Sequence, residues 1–124
     1  MRPVFTIRRA QFRAMSKQLR QRFTDDMVRH LHENFLGDCK KQGIAEQNLR
    51  LLVSSGIETA AKFDIVDRQD VQLYLECLVL LGPAFEADER LPWAGKILNR
   101  TNLIGKAKMD LIHDHLVFTQ MKST

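Results

Sequence analysis

The chain is poor in cysteine and in helix breakers, and it has no long apolar run; each shortage excludes a class of protein. Only two cysteines occur in 124 residues, Cys39 and Cys77, far apart and in no CxxC pair. A disulfide scaffold needs more, so both read as reduced thiols of a cytoplasmic protein. Six glycines and three prolines leave no low-complexity tract and no linker, which fits a single domain over 1–124. The opening MRPVFTIRRAQFR interrupts any apolar export segment with arginines. No apolar run approaches the roughly 20 residues of a membrane span. Acidic residues are missing from 1–22, where seven basic side chains stand. Residues 1–50 carry eleven basic against five acidic side chains, and residues 51–124 carry eight against ten. That asymmetry marks the first part of the chain as a surface for something acidic.

What is present is helical periodicity. Phe12, Met15, Leu19, Phe23, Met27, Leu31 and Phe35 recur at steps of three and four, one face of a helix. Thr6 suits its N-cap, and Thr24-Asp25-Asp26 reads as a second start, so the segment is one long helix or two with a kink near 22–24. Gly37 or Gly43 ends it. Leu49, Leu52, Val53, Gly56, Ile57, Ala60 and Ala61 follow the helical template throughout. Glycine within that face predicts close approach of a neighbouring helix, because it otherwise costs about 1 kcal/mol against alanine. Asp67 can cap the next helix, with Asp70 near the positive end of the dipole and Val66 stapled to Val71. From Val71 to Leu81 the helix is apolar nearly all round and is predicted to be enclosed by others. Gly82-Pro83 stops it. Ala84–Arg90 reads as an acidic loop, Pro92 opens a short helix to Asn99, and Thr101 caps a last helix with Ile104, Ala107, Leu111, His115 and Phe118 on its apolar face. An extended Arg2–Phe5 is the single candidate for strand. The expected fold is all-α, a bundle of five to six helices around the central apolar helix 71–81.

The search for chemistry yields little. His30 and His32, like His113 and His115 around Asp114, sit at i and i+2, about 200° apart on a helix, so neither pair chelates one ion. Each pair is expected to turn one histidine inward and one outward. Lys40 and Lys41 beside Cys39 could lower a thiol pKa, yet lysines also suit a helix C-terminus. Ser54 and Ser55 lack a nucleophile elbow and read as small residues at a tight helix contact. Asp25-Asp26 and Asp67/Asp70 read as helix starts. Glu86, Asp88 and Glu89 lack the calcium-loop pattern. No catalytic, cofactor-binding or metal-ligating set can be assembled, so the chain is read as not an enzyme and as needing no cofactor. Arg8, Arg9, Arg13, Lys17 and Arg20 form a basic face suited to solvent, to an acidic protein surface or to nucleic acid.

Three stretches, VRHLHENFLGDCKKQG, GIETAAKFDIVDRQDVQLYLECLVLLG and FEADERLPWAGKIL, together resemble a family of small helical proteins encoded in bacterial type VI secretion effector clusters. The resemblance spans roughly residues 28–98, and Leu36 stands where the family pattern has proline. It implies an accessory, co-chaperone-like role: binding the effector chaperone (adaptor) or the effector in the cytoplasm. With it, Phe85, Asp88, Leu91, Pro92 and Trp93 become a candidate contact patch, although Trp93 could instead close the core over the central helix. A nucleic-acid-binding module using the basic first helix, and an immunity protein that binds a toxin, are the alternatives.

Overall fold

A computed structural model describes residues 17–123, with side chains to residue 118. The elements are α1 (Lys17–Asn34), α2 (Leu36–Lys41), α3 (Glu46–Lys62), α4 (Arg68–Leu81), a 3-10 turn (Phe85–Ala87), α5 (Pro92–Leu98) and α6 (Gly105–Ser123). Among the described residues there are six α-helices and no strand. Thr6, Phe12, Met15 and the extended Arg2–Phe5 lie outside the described residues.

α1 runs unbroken through 22–24. The Thr24 hydroxyl does not start a second helix; it donates back to the Arg20 carbonyl at 2.8 Å. Asp25 and Asp26 are not helix-start carboxylates either, because they pair with Arg50 of α3 at 2.6 Å and Arg68 of α4 at 3.3 Å. Phe23, Met27 and Leu31 are buried as the spacing predicts, whereas Leu19 is exposed. α1 ends at Asn34, before Gly37, and Gly37 falls inside the one-turn α2. Gly43 ends α2 instead, with φ of 72°. The Ile44 amide reaches back to the Cys39 carbonyl and the Gly43 amide to that of Lys40, the two bonds of a Schellman cap.

α3 buries the face its spacing predicts: Leu49, Val53, Gly56, Ile57, Ala60 and Ala61, with Leu52 half-buried. A Cβ on Gly56 would stand 2.7 Å from Leu75 Cδ2 and 2.8 Å from Leu78 Cδ1 of α4. This is the close helix approach expected of it. Ser54 and Ser55, by contrast, face solvent, and Ser55 Oγ donates to the Leu51 carbonyl at 2.9 Å. α3 ends in a second Schellman cap, with Ile65 bonded to Ala60 and Asp64 to Ala61. Here Asp64 adopts the left-handed conformation, φ 66°, which glycine fills more often.

α4 is the centre of the bundle. Val71, Tyr74, Leu75, Cys77, Leu78 and Val79 are buried, and α2, α3, α6 and the 3-10 turn pack around them. Asp67 takes the N-cap position without a side-chain cap bond. The ion pairs trace the directions: α3 runs antiparallel to α1, with Arg20–Glu58, Asp25–Arg50 and His32–Glu46 paired along it. α4 runs parallel to α1 through Asp26–Arg68 and His30–Glu76.

Gly82, at φ 121°, ends α4 as predicted. Pro92 sits in the first turn of α5, which ends at Leu98 with Asn99 as its cap. α6 departs from expectation. Residues 101–103 form a turn and bend, and the helix begins at Gly105 rather than after Thr101. Its buried face is Gly105, Lys108, Met109 and Ile112, while Ile104 and Phe118 are exposed.

Candidate functional site

The residues expected to form one contact patch around the 84–93 turn part company. Phe85 is 0% exposed and packs its ring against Tyr74 at 5.5 Å, so it belongs to the core and cannot be a contact residue. The Ala87 amide bonds to the Ala84 carbonyl and the Asp88 amide to that of Phe85, which curls the expected loop into a 3-10 turn. Asp88 accepts bonds from the Arg90 amide at 2.9 Å, from Nε at 3.1 Å and from Nη2 at 2.9 Å. Those Arg90 bonds hold its carboxyl below the usual carboxylate range. Glu86 keeps Oε1 buried with no hydrogen-bond partner among the described residues. Burial, with this carboxylate nearby, pushes the Tyr74 phenol well up. Leu91 is half-buried against the core and Pro92 is exposed. Trp93 is half-buried and stacks on His115 of α6, ring centroids 4.4 Å apart and planes within 3°. It therefore closes α5 onto α6.

Of the basic candidates, Arg8, Arg9 and Arg13 lie outside the described residues. Lys17 and Arg20 line a cavity of about 310 Å³ between α1 and α3, with Arg50, Glu58 and a floor of Phe23 and Ile57.

A second opening did not figure among the sequence expectations. Leu73, Leu80 and Leu81 of α4 face His113, Leu116 and Val117 of α6 across an open groove of about 350 Å³. Val117 is 41% and the adjoining Phe118 61% exposed. α4 was expected to be enclosed because it has almost no polar face; instead one apolar flank stays open. That missing polar face was the signal in the sequence. On the rim, Glu76 takes a 2.7 Å bond from His30 Nε2 and a 3.2 Å bond from Gln72.

The titratable and nucleophilic groups are tied into structure. His30 is turned inward and His32 is the more exposed of its pair, at 3.4 Å from Glu46. His115 packs on Trp93 while His113 faces solvent. Cys39 is buried, and burial together with Asp38 raises its thiol, opposite to the lowering that Lys40 and Lys41 suggested. Burial pushes Cys77 up to about 12. Among the described residues no three His, Cys, Asp or Glu side chains converge on a point where they could hold a metal ion. No helix among the described residues is long and apolar enough to cross a membrane. Comparison of the chain with protein families, with curated proteins and with solved structures finds no match.

Proposed function

We propose that this chain is a non-catalytic accessory protein that binds an effector chaperone, or the effector itself, of a type VI secretion system in the cytoplasm. The observation that supports protein binding is the open α4–α6 groove. Leu73, Leu80, Leu81, Leu116 and Val117 offer a contiguous apolar lining, and contiguous exposed apolar surface of this kind is what partner sites are made of. Apolar linings of this kind are what take the apolar side of an amphipathic helix, with anchors at helical spacing. The type VI setting rests on the resemblance over residues 28–98.

The test is co-expression with the chaperone and effector encoded beside the gene. The wild-type chain is expected to co-purify with one of them at moderate salt, and V117E and L80E to lose it while keeping wild-type circular dichroism. Recovery of neither protein by the wild-type chain sinks the reading.

A further inference from the structure

The cavity between α1 and α3 has a composition that the groove lacks. Three cations, Lys17, Arg20 and Arg50, stand around it against one carboxylate, Glu58. Its floor is apolar, from Phe23 and Ile57, both buried. The cations are incompletely satisfied where they stand. Arg20 Nη1 lies 3.9 Å from Glu58 Oε2, beyond hydrogen-bond distance. Arg50 gives one edge to Asp25 at 2.6 Å, and a guanidinium has five donors. The paired side chains Arg20, Glu58, Arg50 and Asp25 remain substantially exposed, from 43% for Arg20 to 67% for Glu58. An incoming carboxylate therefore displaces water and one weak ion pair, not a buried network.

We infer that this cavity is a docking site for an acidic peptide segment that carries an apolar anchor. The anchor, one leucine- or phenylalanine-sized side chain, enters the cavity over Phe23 and Ile57. Flanking carboxylates take the open edges of Arg20 and Arg50, and Lys17 adds charge at the mouth. Glu58 is the internal competitor for Arg20. A duplex nucleic acid fits less well, because it presents a line of phosphates and wants an extended basic track. Beyond Arg22, α1 turns acidic at Asp25 and Asp26. The inference rests on the protein-binding reading and names a partner chemistry for a second surface of the same molecule.

The experiment is fluorescence anisotropy with a short labelled peptide, leucine flanked by aspartate and glutamate, titrated with the full chain. Its controls are the same peptide with lysine for every acid, and a labelled duplex DNA. The acidic peptide is expected to bind, less tightly as salt rises. R20E and R50E should each weaken it about tenfold, and E58Q should tighten it about threefold. E58Q changes affinity upward, so misfolding cannot mimic it. Equal binding of acidic and basic peptides, no response to E58Q, or tighter binding of the duplex overturns the inference. The paired pull-down separates the two readings. A wild-type chain that co-purifies with the chaperone or effector but binds no acidic peptide removes the cavity and leaves the accessory function standing. Peptide binding with no co-purifying chaperone or effector does the reverse.

Discussion

Two of the places where α3 meets its neighbours, at α4 and at α6, are built on opposite terms. Along its length α3 meets α4 through Gly56, where the atoms in the way are the methyl tips of Leu75 and Leu78. At its end it meets the start of α6 through Gly105, where a Cβ would stand 2.3 Å from the Asp64 carbonyl oxygen and 2.9 Å from Ile65 Cα. The first seam is side chain on backbone and can relax by a rotamer change. The second is backbone on backbone and cannot. A contact seen in one glycine count thus carries very different tolerance.

The largest effect follows directly. G105A drives a methyl group into fixed backbone and is expected to cost about 3 kcal/mol or more, read as a fall in the urea midpoint with an unchanged m-value. A loss below about 1 kcal/mol would mean that α6 can shift and that the joint is soft after all. Next comes Lys108, 3% exposed, whose Nζ donates to the Phe63 carbonyl at 2.9 Å beside the same joint. K108M keeps the stem but leaves that carbonyl short of a donor, and should cost about 2 kcal/mol by the same measurement. G56A sharpens the contrast. The leucine tips must give, but alanine regains about 1 kcal/mol of helix propensity, so stability should stay within about 1 kcal/mol of wild type. If G56A is as damaging as G105A, the two seams do not differ. The smallest effect is expected where neither seam is involved. Arg90 holds the half-buried Asp88 carboxyl below its ordinary value. That contribution is present above the usual aspartate pKa of about 3.9 and is lost as pH falls through the lower folded value. Melting curves of D88N and wild type should therefore differ slightly at neutral pH and merge in acid; a gap that widens in acid refutes the pairing.

The same contrast explains what could be read in advance. The α3 face, the α4 centre, the Gly82-Pro83 stop and the Pro92 start all follow from hydropathy spacing and local turn chemistry, and the structure has each of them. α6 was misread because its inward face holds a glycine and a lysine. Gly105 is inside for its lack of a side chain, and Lys108 because a long stem carries its amine to a carbonyl 45 residues back. Neither registers as apolar, so the spacing favoured Ile104, Leu111 and Phe118 instead. Thr24-Asp25-Asp26 failed similarly, since Asp25 pairs with Arg50 of α3, and Asp26 pairs with Arg68 of α4 as well as with Arg29 of its own helix. Phe85 was placed on the surface because nothing local reveals the Tyr74 ring that receives it. Of the candidate surfaces, Lys17 and Arg20 were visible as a basic stripe. The cavity they line depends on α3, and the groove depends on how α6 crosses α4.

The stack of Trp93 on His115 has a practical consequence. Trp93 is the single tryptophan in the chain, so all indole emission arises at the α5–α6 contact. His113 and Val117 on the groove side of α6 lie about half a helical turn from His115. The protein thus carries its own optical gauge: a ligand that pries α6 away from α5 changes the emission colour, and one that binds without moving α6 leaves the spectrum untouched.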